Sequence, residues 1–195
     1  MKRIITAIIL CVMAVFTLSS CKSNEDPVDK LPNDIVIELN DGQIIKAELY
    51  PDIAPITVRN FKKLISENFF DGLIFHRVIS GFMIQGGGYD ENMNAKQAES
   101  IKGEFESNGV KNTLKHERGV LSMARTNVKN SASSQFFIMH KTSPHLDGEY
   151  AAFGKVTEGM DVVDAIAASK TKVLPNGMSD VPAEPVVIKT IKFDE

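Results

Sequence analysis

Residues 75–87 read Phe-His-Arg-Val-Ile-Ser-Gly-Phe-Met-Ile-Gln-Gly-Gly. Two short apolar runs, 73–79 and 82–85, lead into the triplet Gly86-Gly87-Gly88. The texture recurs downstream at 119–124, 135–139, 151–156 and 186–193. Runs this short read as strands rather than helices. Upstream, Ile35, Ile37 and Leu39 alternate with Val36, Glu38 and Asn40; after Asp41-Gly42, Ile45, Ala47 and Leu49 alternate with Lys46, Glu48 and Tyr50. Asp-Gly between two period-2 runs signals a hairpin. Helical spacing appears in two places. Pro55 can open a helix that carries Val58, Phe61, Leu64 and Ile65 on one face, with Asp71-Gly72 ending the unit. A second helix fits 159–168, with Met160, Val163, Ile166 and Ala167 inward and Asp161 and Asp164 outward. Many short strands with two helices predict a mainly β fold, a closed antiparallel barrel or a sandwich. Residues 86–118, rich in Gly, Asn, Lys and Glu, predict long surface loops. No internal repeat or second domain is visible.

The 195 residues include 22 Lys+Arg against 25 Asp+Glu, a net charge of −3, with 43% hydrophobic residues and no Trp. This is globular composition, and it excludes a disordered or collagen-like chain. It also lacks the basic footprint of a nucleic-acid binder.

The N-terminus reads as an address. Lys2 and Arg3 precede an uncharged stretch, Ile4 to Leu18, which is shorter than the roughly 20 residues of a spanning helix. Leu18-Ser19-Ser20-Cys21 resembles the lipobox of bacterial lipoproteins, in which the cysteine is acylated and the preceding peptide removed. The resemblance implies a signal peptide at 1–20, lipidation of Cys21 and stable anchoring to a bacterial membrane, as a periplasmic or outer-membrane lipoprotein. Cys11 lies inside the signal, so an exported domain would hold no disulfide, and Cys-based metal binding or nucleophilic catalysis is excluded. Residues 21–31 read as the lipidated Cys and a flexible tether, and 32–195 as one folded domain.

Chemical motifs are few. The triple glycine is followed by no Gly-Lys-Ser/Thr and lies in no dinucleotide-binding spacing, so it reads as a bend. His76, His116, His140 and His145 form no metal-ligand pattern. No Gly-x-Ser-x-Gly elbow supports a Ser-His-Asp hydrolase, although scattered Ser and His leave that option open. His76 reads as a structural strand histidine, and no role falls to His116 or His140.

Four segments change the reading when taken together: 75–87 as above; Gly119-Val-Leu-Ser-Met-Ala-Arg125; Ser133-Ser-Gln-Phe-Phe-Ile138; and Leu146-Asp-Gly-Glu-Tyr-Ala-Ala-Phe-Gly154. In order and spacing they strongly resemble the cyclophilin family of peptidyl-prolyl cis-trans isomerases, from about residue 34 to 193. Ala54-Pro55 to Asn60-Phe61 and Glu184 to Ile188 extend the resemblance. It implies an eight-stranded antiparallel β-barrel capped by two α-helices. It implies no cofactor and no metal, with proline-containing polypeptides as partners of a chain acting as a monomer. Arg77 matches the catalytic arginine. Phe82, Met83, Phe137 and Leu146 match the pocket for the proline ring, Gln85 and Gln135 the polar groups beside the peptide backbone, and Ala124-Arg125 the strand the substrate lies against. Arg125 replaces a common asparagine whose contact is mainly through its backbone. His145 stands where many eukaryotic members have tryptophan, and Tyr150 where many have histidine; these departures imply weaker cyclosporin binding.

The residue types suit the reaction the resemblance implies. Rotation about a peptide bond costs about 18–20 kcal/mol, because resonance stiffens C–N. The two X–Pro isomers differ by only about 0.5–1 kcal/mol yet exchange slowly. In the twisted transition state the proline nitrogen is more basic, so a donor aimed at it binds that state better than either ground state. Arginine is always charged and presents fixed donors. A cyclophilin-like module that holds proline segments without turnover is the alternative from another class; intact Arg77, Phe82 and Gln85 together favour the enzyme.

Overall fold

The computed structural model describes residues 27–194; the expected signal segment and Cys21 lie outside the described residues. The hairpin forms as the sequence predicts, with β1 at Asp34–Leu39 and β2 at Ile44–Leu49. Six further strands complete the main sheet: β3 (Leu73–Ile79), β4 (Met83–Asp90), β5 (Val120–Met123), β6 (Phe136–Met139), β7 (Ala152–Glu158) and β10 (Ile188–Phe193). Their order is β10-β1-β2-β7-β5-β6-β4-β3, and all the strand pairs are antiparallel. The two edges meet through a bridge between Ile74 and Val187 and through the Phe75 N–H donating to the Val186 carbonyl at 3.0 Å. The sheet is thus a nearly closed eight-stranded barrel, as expected. Closure removes the unpaired edges that would invite aggregation. A separate ribbon joins β8 (Thr171–Lys172) to β9 (Val181–Pro182).

Two α-helices occur among the described residues. Helix α1 runs from Pro55 to Ser66 and buries Val58, Phe61, Leu64 and Ile65, the predicted face. Ala54 at its N-cap offers no side-chain acceptor. Glu104 supplies one from a distant loop: its carboxylate accepts from the Ile56 N–H at 3.0 Å, the Thr57 N–H at 2.7 Å and the Thr57 hydroxyl at 2.7 Å. A negative charge there also suits the helix dipole. Helix α2 spans Met160–Ala167; Val162 joins Val163, Ile166 and Ala167 in the interior, whereas Met160 is half-buried. Asp161 is exposed as expected, while Asp164 is half-buried and pairs with Arg118 at 2.7 Å.

The core lies inside the barrel. Phe61 packs its ring against Phe70, Phe136 and Phe153 with centroids 4.9, 5.3 and 5.1 Å apart. Tilted and edge-on aromatic pairs of this kind add about 0.5–1.5 kcal/mol each beyond the area they bury.

Three local expectations change. Val36, assigned by alternation to the outer face, is buried. Its cross-strand partners are Lys46 and Lys192, whose aliphatic stems can cover it. The stretch 86–118 does not begin as a loop, because β4 continues to Asp90 through all three glycines. And part of the expected tether is docked: Pro27–Lys30 form a 3-10 turn, Asp29 accepts from Arg59 at 2.6 and 2.7 Å, and Lys62 donates to the Leu31 carbonyl at 2.6 Å.

Candidate active site

Strand alternation builds the site on the outside of the barrel wall. Phe136 and Ile138 of β6 point into the main core, whereas Phe137 and Met139 join a second cluster with Met83, Val120, Leu146 and Ala152. Phe82, Ala124 and Tyr150 pack against that second cluster. Cross-strand register then sets a row: Arg77 lies opposite Gln85, Gln85 opposite Phe137, and Phe137 opposite Ser122. Directly opposed residues share a face.

The triple glycine makes room for this row. A Cβ at Gly88 would sit 2.5 Å from the Gln135 side chain, and one at Gly86 would sit 3.0 Å from the Ile74 carbonyl oxygen. Glycine there lets Gln135 lie directly on β4, where its Oε1 accepts from Gln85 Nε2 at 2.9 Å. Gln85 Oε1 faces Arg77 Nη1 at 3.4 Å, and Asp180 approaches Arg77 Nε at 3.9 Å from the loop before β9.

Ten of the residues singled out in the sequence surround one cleft of about 480 Å³: Arg77, Phe82, Met83, Gln85, Ala124, Arg125, Phe137, His145, Leu146 and Tyr150. Gln135 lines an adjoining cavity of about 150 Å³ together with Thr126, Ser131 and Ser133, and Gln85, Ala124 and Arg125 border both. His145 stacks on Phe82, and Tyr150 meets Phe137 edge-on at 5.9 Å. The Arg125 guanidinium lies between the rings of Phe105 and Tyr150, 4.9 and 4.7 Å from their centroids, and donates to the carbonyls of Glu149 and Thr126 at 3.0 and 2.9 Å. Its side chain therefore braces the cleft wall, beyond the backbone contact that the resemblance implies.

Behind Phe137 lies a buried relay. His116 Nδ1 is 3.0 Å from Asp147 Oδ1 and its Nε2 is 3.0 Å from Ser122 Oγ. This is the connectivity of a Ser-His-Asp hydrolase. Ser122 and His116 are 0% and 1% exposed, however, so no substrate carbonyl can reach the hydroxyl and the hydrolase option falls. Burial holds the His116 pKa below its ordinary value, with Asp147 partly opposing, and the neutral ring serves as a strut. His140 is a strut too: its Nδ1 accepts from the Gly81 N–H at 2.8 Å, and its Nε2 faces Asp164 at 3.2 Å. Neither relay was visible in the sequence, because its members lie far apart along the chain.

A family model described as cyclophilin type peptidyl-prolyl cis-trans isomerase/CLD matches residues 35–193. The chain belongs to the cyclophilin family. It is a peptidyl-prolyl cis-trans isomerase, EC 5.2.1.8. A peptidyl-prolyl cis-trans isomerase of Acinetobacter baylyi is 48% identical to this cyclophilin over 156 residues, which are 76% of this chain and 79% of the relative. Peptidyl-prolyl cis-trans isomerase B of Escherichia coli is 43% identical over 171 residues, covering 83% of this chain and 99% of its own. A crystal structure of a Cryptosporidium parvum cyclophilin, determined in the presence of the dipeptide Ala-Pro, superposes with a TM-score of 0.71 at 30% identity. That match covers 83% of this chain and 99% of the other.

Proposed function

We propose that this cyclophilin isomerises X–Pro bonds in exported polypeptides by Arg-assisted stabilisation of the twisted transition state, with neither a covalent intermediate nor a metal. The observation that carries the reading is the placement of Arg77. It stands at the rim of a cleft whose other walls include Phe82, Met83, Phe137 and Leu146. The apolar side chains grip the proline ring and exclude water, which strengthens a charged donor aimed at the proline nitrogen. Gln85 and Gln135 offer hydrogen bonds to the peptide backbone, and Ala124-Arg125 supply the strand edge it lies along. The domain acts as a monomer, tethered to the membrane by lipid on Cys21.

The Ala-Pro dipeptide named for the Cryptosporidium parvum structure supports a proline-containing ligand, and the sequence of residues 1–21 supports export. The test is isomerisation of a short X–Pro peptide followed by exchange NMR, with and without a chelator, from about pH 6 to 8. The mechanism uses no titrating base and no metal, so catalytic efficiency should be nearly flat and unaffected by chelation. A requirement for metal, or a tenfold fall towards pH 6, would contradict the mechanism. For the anchor, Cys21→Ala should release the protein from the membrane fraction; unchanged membrane retention would contradict lipidation.

A further inference from the structure

His76 Nδ1 is the buried side-chain polar atom that lacks a hydrogen-bond partner among the described residues. The ring is 4% exposed and packs edge-on against Tyr89 at 4.8 Å. Its Nε2 faces Gln85 Nε2 at 3.5 Å. Nothing in the mechanism so far uses it.

The polarity of this neighbourhood is set from Arg77 outward. A guanidinium carries donors only, so Gln85 turns its oxygen to Arg77 and its NH2 group away. That NH2 group meets the Gln135 oxygen and His76 Nε2. Opposite that NH2 group, the geometry assigns His76 Nε2 as the bare acceptor and the ring proton to Nδ1. A doubly protonated ring, or the other tautomer, would set N–H against N–H. It would favour the flipped amide, which presents NH2 to the Arg77 guanidinium.

We infer that His76 is a positioning residue for the isomerisation: its bare Nε2 fixes the sense of the Gln85 amide, and the amide oxygen holds the Arg77 guanidinium at the cleft. The inference rests on the role proposed for Arg77. Contacts of 3.4 and 3.5 Å are weak, and hydrogen bonds of this kind tighten as a substrate fills the site. Burial chiefly lowers the His76 pKa to about 4, and the neighbouring Arg77 charge acts in the same direction. The ring is therefore neutral over the working range and protonates only in acid. The other titratable or charged groups around it are Tyr89 on β4 and Asp180, which reaches Arg77 from the loop before β9.

Nitrogen-15 NMR of the wild-type ring at neutral pH should report the Nδ1–H tautomer; an Nε2–H tautomer would overturn the inference. In the peptide assay, His76→Phe should lose about fivefold in kcat with little change in KM, while His76→Gln, whose oxygen can accept from Gln85, stays within about twofold. Adding His76→Phe to Arg77→Ala should cost nothing further, because the histidine acts through the arginine; additive losses would overturn the inference. Catalytic efficiency of the wild type and of Asp180→Asn should fall between about pH 5 and 3.5, across the His76 pKa, with the near-ultraviolet circular dichroism intact, whereas His76→Gln should stay level. An equal fall in wild type and His76→Gln, or loss of the fall in Asp180→Asn, would overturn it. The pH comparison stands even if His76→Phe does not fold. Full activity in Arg77→Ala would instead refute the role of Arg77, whatever the histidine does.

Discussion

The imidazole of His145 lies 26° from parallel to the ring of Phe82, with centroids 5.7 Å apart, so two segments far apart in sequence share one wall of the cleft. His145 occupies the middle of a 3-10 turn, Pro144–Leu146, that also delivers Leu146 to the cleft floor. Tryptophan at this place would present more apolar surface and an indole N–H. His145→Trp should therefore tighten cyclosporin binding by about fivefold or more, a gain of about 1 kcal/mol. The chain has no native tryptophan, so fluorescence of the introduced indole reads binding directly. Unchanged affinity would contradict this reading of the wall.

Arg125 joins the part of the cleft around Tyr150 to the body of the domain through its stack between Phe105 and Tyr150. Arg125→Asn should free Tyr150 and raise KM by about threefold to tenfold with kcat nearly unchanged, the pattern of lost uniform binding. Arg125→Lys should not restore KM, because an ammonium cannot stack as a planar guanidinium does. Steady-state kinetics on both variants checks this.

Glu104 caps α1 with three hydrogen bonds to Ile56 and Thr57 while itself only 2% exposed. Glu104→Ala leaves buried donors without partners and removes a helix cap. The expected loss is about 2–4 kcal/mol. At about 2–4 °C per kcal/mol for a domain of this size, the melting temperature should fall by about 4–16 °C, measured by circular dichroism. Activity at low temperature should stay within about twofold, because α1 lines no part of the cleft.

Burial of His76 makes stability depend on pH. Its folded pKa, about 4, lies below the ordinary value of 6.5. Between those values the unfolded chain binds the proton and the folded one does not, so stability is full above about pH 6.5 and declines as pH falls towards 4. From pH 7 to 5 this one group should cost about 2 kcal/mol. His116, lowered chiefly by burial, acts in the same direction. Urea unfolding at the two pH values should show a smaller difference for His76→Gln than for wild type; equal differences would contradict a buried neutral ring.

Much of this was legible in the chain. The Asp41-Gly42 hairpin, the helix after Pro55 and the short apolar strands follow from local periodicity, which burial then enforces. The residues around the cleft were legible because they sit in short contiguous segments at 75–87, 119–125, 133–138 and 146–154. Long-range pairing was not legible. Glu104 reaches α1 across 47 residues, His116 meets Asp147 across 31, and Asp180 approaches Arg77 from a distant loop. The glycine triplet misled for a related reason. A lone run of glycine reads as a bend, yet here it is strand backbone thinned so that Gln135 can lie across it.

In the proposed mechanism one charged donor in the cleft, Arg77, accelerates rotation without a nucleophile or a base. Arg77→Ala removes that donor from a half-buried strand position and leaves the barrel core untouched. The decisive measurement is kcat/KM of the wild type and Arg77→Ala on one X–Pro peptide, with folding of both checked by circular dichroism. A loss of about tenfold or more, equal to at least about 1.4 kcal/mol of transition-state stabilisation, is the predicted result. Wild-type efficiency in a fully folded Arg77→Ala protein would contradict the mechanism.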